Sequence, residues 1–292
     1  MEQAALRPDS GGAALLRRAS RHLARRPVAL IAWTAVAAIL LAALLAPLIA
    51  PFEPAAKVSD ATMLPPLSEG HLLGTDRFGR DVFSRILFGA QPLILVSLTA
   101  VTGAGAIGLA IGLPAGFFGG WTDQGLMRAM DLILSFPLIL LAIVIVAALG
   151  PGLENVILAI IVSQVPIFAR LIRALAAGEA AKEYVLAARA AGFGPMRIML
   201  VEIAPNILGP LVVQATSVIS VAAIYAAALS YLGLGIQPPA PDWGYMVKEA
   251  QELLFMAPHL SLTPGIAIVV FVTAWNFIGD DLRDVIGEDE GT

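Results

Sequence analysis

Gly103, Gly105 and Gly108 have the spacing of a dinucleotide-binding turn, and Asp123 follows twenty residues after the first, where such a turn places a ribose-binding acid. That chemistry requires a strand, a tight turn and a helix N-terminus facing pyrophosphate. These glycines lie instead inside a charge-free run from Ile86 to Phe118. Gly108, Gly112 and Gly116, at spacing four, predict one helix face suited to close packing. A phosphate-cradling GxxxxGK(S/T) loop is absent, since none of Lys57, Lys182 and Lys248 follows a glycine. ATP-driven work by this chain therefore requires a second polypeptide that hydrolyses the nucleotide. HExxH and GxSxG are absent too, and His22, His71 and His259 are scattered. Without cysteine, thiol catalysis, cysteine-ligated metals and disulfides are excluded.

The longest charged, helix-prone amphipathic stretch is EYVLAARAAGFGPMRIMLVEIAP, from Glu183 to Pro205, which carries Glu183, Arg189, Arg197 and Glu202. An alanine-rich helix is expected from Ala174 to Ala191, because alanine is the best helix former. Gly192 and Gly194 supply a stop, and Pro195 opens a second short helix at its first position. The product is a helix-turn-helix knob between apolar runs, with Glu183, Tyr184, Ala187, Ala188, Arg189, Gly192, Arg197 and Pro205 as candidate contact residues. A purely structural loop beside two spans is the alternative reading.

The elements around the knob belong to a bilayer. Of 292 residues 58% are hydrophobic and 14% charged, with mean hydropathy +0.84, against roughly 25% charged in soluble domains. A basic arm over residues 1–27 precedes a charge-free run from Val28 to Ala50 that is too long for a signal-peptide core and predicts a first span. Residues 51–85 are polar and proline-rich. Further spans are expected near Pro92–Leu113, Leu132–Leu149, Asn155–Ala169, Asn206–Leu232 and Leu262–Gly279. Asp123–Asp131 reads as a short polar turn, Arg170 and Arg173 as snorkelling ends, and Gln237–His259 as a loop with one surface helix.

Six spans put both termini on one side. That side then holds 13 of the 18 lysines and arginines, which places the knob and both termini in the cytoplasm. Charge-free spans weigh against a proton- or sodium-coupled carrier, which needs intramembrane ionisable groups. Gln214 and Asn276 are possible pathway groups, and a helix–helix hydrogen bond is the other reading of Gln214. Pro92, Pro114, Pro137, Pro166 and Pro210 lie in or at the ends of spans, where kinks suit a bundle that changes shape.

Four further segments carry a family resemblance in the same order as they occur here: HLLGTDRFGRDVFSR, GFFGGWTDQGLMRAMDLILSFP, SYLGLGIQPPAPDWGYM and WNFIGDDLRD. With the knob, they cover residues 71–284 and resemble the C-type permease of dipeptide, oligopeptide and nickel ABC importers. The knob is similar to that family's EAA loop, taken here as 174–205. Ala187, Ala188, Gly192 and Pro205 fall in its places, while Leu186, Glu202 and Ala204 depart from it.

The resemblance implies an all-α polytopic membrane protein with six transmembrane helices and the type I ABC importer permease fold. Its parts would be the arm (1–27), a first helix (28–50), an extracytoplasmic loop (51–85), a five-helix permease domain (86–284) and an acidic tail (285–292). It implies a non-catalytic subunit of the bacterial inner membrane with no cofactor and no nucleic-acid partner. The partners implied are a B-type permease subunit, two ATPase subunits that receive the EAA helices, and an extracytoplasmic solute-binding protein. Asp242, Trp243 and Glu249 are candidates for the binding-protein surface, or else simply cap the bundle.

Overall fold

The computed structural model describes residues 26–58, 60 and 62–290, with side chains as far as Ile286. The basic arm before Arg26 lies outside the described residues. The described residues are mostly helical apart from the loop over 50–81, and among them β-pairing is limited to two isolated bridges near the start of the second long helix. Its principal helices are α1 (Pro27–Leu44), α2 (Val82–Phe118), α3 (Gly120–Leu134), α4 (Leu138–Leu149), α5 (Leu153–Ala180), α6 (Glu183–Ala190), α7 (Leu208–Tyr231), α8 (Trp243–Ala250) and α9 (His259–Glu290).

Four long helices (α1, α2, α5 and α9) and the continuous helical run Pro195–Tyr231 have the length and hydropathy to cross a bilayer. The expected span at Leu132–Leu149 is not one straight helix. α4 has 12 residues, about 18 Å of rise against a hydrocarbon core of about 30 Å. α3 meets it at a bend of 82° across Ser135–Pro137, and the pair together forms the sixth crossing. Pro137 removes a backbone donor and disfavours helical geometry at Phe136, which sets the break there.

The expected turn at Asp123–Asp131 is part of α3. Nothing between Thr122 and Leu134 breaks a helix, and both aspartates find partners on α5: Asp131 pairs with Arg170, and Asp123 with Arg173 (Nε–Oδ1 2.9 Å). The arginines end in ion pairs rather than snorkelling alone. The last expected span, Leu262–Gly279, likewise extends well past Gly279, because GDDLRDV continues α9.

α2 and α5 run parallel at the centre. An added Cβ at Gly108 would sit 2.5 Å from Phe168 Cβ, at Gly112 2.9 Å from Ile172 Cβ, and at Gly116 2.8 Å from Ala176 Cβ. Close backbone approach of this kind is how membrane helices gain packing energy where lipid supplies no hydrophobic drive. Gly103 stands opposite Ile161 on the same seam, and the helix passes through Gly103, Gly105 and Gly108 unbroken. The seam fixes direction: α2 and α5 start at one end of the bundle, beside residues 51–81 and α8, and finish at the other, beside α6.

Candidate functional site

The knob begins with a break that propensity alone does not predict. Instead of one helix over 174–191, α5 stops at Ala180 and α6 starts at Glu183. Lys182 Nζ pairs with Glu179 at 2.6 Å, and the Tyr184 hydroxyl donates to Glu179 at 2.7 Å. Asn206 Nδ2 donates to the same hydroxyl at 3.2 Å and to the Glu202 carbonyl at 2.7 Å. Burial pushes the Tyr184 phenol above its ordinary range, and the neighbouring Glu179 adds to the shift. Arg189 stacks its guanidinium over the Phe117 ring, 4.7 Å from the centroid, at the end of α2. α6 is thus tied to the ends of α2 and α5 and to the segment entering α7.

Gly192 closes α6. Its φ of +82° belongs to the left-handed region, and the amides of Gly192 and Phe193 bond back to the Arg189 and Ala188 carbonyls at 3.0 and 3.1 Å. These two bonds make a Schellman cap. Gly194, by contrast, holds ordinary extended geometry before Pro195. Ile198–Ile203 then forms a π-helical stretch and Ala204–Ile207, with Pro205, a 3₁₀ turn before α7 begins. Such mixed helical geometry marks a hinge or a strained segment.

The face that α6 turns outward differs from the expected one. Val185 is fully buried and Ala188 is 8% exposed, because these two positions, three apart, pack on the chain itself. Tyr184 also turns inward. The outward side carries Glu183, Leu186 (52% exposed), Ala187, Arg189 and Ala191. Arg197 is exposed as well, stacked 3.8 Å from the Phe193 centroid.

The opposite end holds a buried polar network. Arg80 Nε binds Asp76 at 2.5 Å, Arg80 Nη2 binds Glu249 at 2.9 Å, and Arg85 Nη2 binds Glu249 at 3.2 Å. Arg85 also donates to the Pro54 carbonyl at 3.2 Å. Beside it, His71 Nδ1 lies 2.9 Å from Asp81, whose other oxygen accepts from the Ser84 amide and hydroxyl at 2.8 Å and so caps α2. Two guanidinium and two carboxylate groups balance within this cluster, which is how charge is tolerated when buried.

Asp242, Trp243 and Glu249 are part of this packing rather than a free surface. Asp242 caps α8 by accepting from the Tyr245 amide at 2.9 Å, and burial raises its carboxyl above the usual range against the bonds it accepts. Trp243 is 3% exposed, donates to the Ile86 carbonyl at 2.9 Å and fills the space over Gly89. Of the two readings, capping the bundle fits these positions, because their side chains are spent inside the chain. α8 is therefore half-embedded rather than a surface helix. Gln214 is half-buried on α7, and Asn276 is exposed on α9. Glu179, Asn206 and Phe117 at the knob, and Asp76, Arg80 and Arg85 at the far end, are the position-fixing residues that sequence reasoning did not single out. The segment HLLGTDRFGRDVFSR, which contains all of the last three, held the signal for them.

Known proteins match this arrangement. Residues 108–288 match the family described as binding-protein-dependent transport system inner membrane component, and residues 14–66 match the N-terminal TM domain of oligopeptide transport permease C. The chain is 41% identical over 270 residues to the dipeptide transport system permease protein DppC of Alkalihalophilus pseudofirmus, covering 92% of this chain and 88% of that one. It is 41% identical over 219 residues to the glutathione transport system permease protein GsiD of Pectobacterium atrosepticum, covering 75% and 73%. In shape it matches a chain of the inward-facing MetNI methionine ABC transporter with a TM-score of 0.58 at 21% identity, over 70% of this chain and 97% of that chain. The multi-pass architecture and these relatives agree: the chain belongs to the inner-membrane permease components of binding-protein-dependent ABC importers.

Proposed function

We propose that the chain is the C-type pathway subunit of an ATP-driven importer for peptides or related small solutes. It pairs with a B-type permease, stands on two ATPase subunits and receives solute from a binding protein on the outer side. The peptide class follows the dipeptide and di/tripeptide permeases among its relatives; glutathione is the second reading, favoured by the similar identity to GsiD. The positive-inside bias of 13 to 5 supports cytoplasmic termini and a cytoplasmic knob.

One observation carries the coupling role. α6 is joined to the ends of α2 and α5, and the chain leaves it through a π and 3₁₀ segment that runs directly into α7. A push on the outward face of α6, from an ATPase closing on nucleotide, would reach three spans at once. Coupling then needs only two packed arrangements of the bundle, biased from inside by ATP and from outside by the loaded binding protein. Reconstitution of the chain with its neighbouring permease, ATPases and binding protein tests the reading. ATP-dependent uptake of a peptide solute is expected, and full transport by the chain alone would refute it.

A further inference from the structure

Two non-glycine residues of the 51–81 loop, the half-buried Met63 and the exposed Leu67, are held at positive φ, a conformation their own side chains do not reward. The Ser68 amide bonds back to the Pro65 carbonyl at 3.3 Å, closing a turn over Pro65-Pro66-Leu67-Ser68. Leu67, the third residue, has φ +66° and is 81% exposed. That position of a turn with positive φ ordinarily takes glycine or asparagine, and left-handed geometry strains an L residue with a bulky side chain. Strain of this kind persists where the surroundings over-determine it, and it gathers at functional sites.

The surroundings here do over-determine it. The Leu67 amide bonds the Leu72 carbonyl at 3.0 Å, and the Leu64 amide bonds the Thr75 hydroxyl at 3.1 Å. His71 ties the base of the loop to Asp81 and so to the first turn of α2. Arg80 and Arg85 tie the following segment to Glu249 on α8. The tip is thus a rigid apolar projection joined to two helices. The neighbouring Glu69 and the exposed Lys57–Asp60 ion pair put it in water rather than lipid. The loop covers the start of α2, to which it is bonded through Gly74 and Phe52.

We propose that Leu67 is an apolar anchor for the solute-binding protein, inserted into that protein when it docks on this end of the bundle. The inference rests on the importer reading above and replaces Asp242, Trp243 and Glu249 as the outer contact. The test uses the assembled transporter in proteoliposomes with its binding protein, following ATPase stimulation and thermal melting. Leu67→Gly relieves the strained φ, so it should melt no lower than wild type, yet raise the binding-protein concentration for half-maximal stimulation about tenfold or more. Leu67→Met, which keeps the apolar bulk, should stay within about threefold of wild type, well short of that shift. Unchanged stimulation in Leu67→Gly and Leu67→Asp would overturn the anchor, as would loss of the permease pair in place of binding-protein affinity. If wild type is not stimulated by any binding protein, the importer reading fails instead.

Discussion

The hydroxyl of Tyr184 donates to Glu179 at 2.7 Å across the two-residue turn between α5 and α6, and it receives Asn206 from the entry to α7. A single phenol thereby spans the knob, the helix before it and the hinge after it. The arrangement holds the angle of α6 without relying on the carboxylate that Leu186 replaces.

Tyr184→Phe removes this junction while keeping the ring. A hydrogen bond to a charged acceptor contributes about 1.5–3 kcal/mol, so the knob should loosen while the bundle stays folded. The expected outcome is more ATP hydrolysed per solute imported, measured in proteoliposomes with unchanged amounts of inserted complex.

Neighbouring alanines should behave oppositely. Ala187 is on the outward face and Ala188 is packed inward. Ala187→Trp should leave melting unchanged and weaken retention of the ATPase on purification. Ala188→Trp should lower the melting temperature first, since overpacking a fitted site costs about 1–3 kcal/mol. The comparison is made by size-exclusion profile and thermal melting on the same preparations.

Gly192→Ala places a Cβ at φ +82°, and Gly192→Pro is incompatible with it altogether. Nothing else lies within 4 Å of an added Cβ, so the cost is in the backbone of the cap alone. Both variants should insert normally and lose uptake, proline more severely; wild-type uptake in the proline variant would remove the cap from the coupling route.

Gly112→Leu should destabilise the seam between α2 and α5, where even one Cβ meets Ile172 Cβ at 2.9 Å. The melting temperature in detergent is expected to fall by several degrees, as follows from a loss of a few kcal/mol in a chain of this size.

Asp242 gives a pH dependence with a definite sign. Its carboxyl is raised by burial, so the folded state holds the proton more tightly than the unfolded chain does. Its contribution to stability is therefore fully present below the ordinary carboxylate pKa and is lost as pH rises through the raised value. Asp242→Asn keeps a capping oxygen and has no charge to bury. Its advantage in melting temperature over wild type should grow from about pH 4 upward and then level off. A gap independent of pH would contradict this.

The spans were legible because hydropathy is a local property, and α2, α5 and α9 lie where charge-free runs predict them. The knob's position and its Gly192 stop were legible for the same reason. What escaped is long-range. Glu249 looks like a surface acid until Arg80, 169 residues away, is folded against it. Trp243 looks exposed until Gly89 makes room for it. The helix α3 read as a turn because its aspartates seemed to need water, when Arg170 and Arg173 on α5 were their partners.

The central claim is that the outward face of α6 docks on a separate ATPase. The native chain has no cysteine, so Ala187→Cys introduces a unique thiol. In the assembled, actively transporting complex a short cross-linker with a thiol-reactive end on residue 187 and a photoreactive end free to insert into the neighbouring subunit should join this chain to the ATPase, with a yield that changes when nucleotide is added. Cross-linking only to the second permease, or none to the ATPase in a complex that still imports solute, would contradict it.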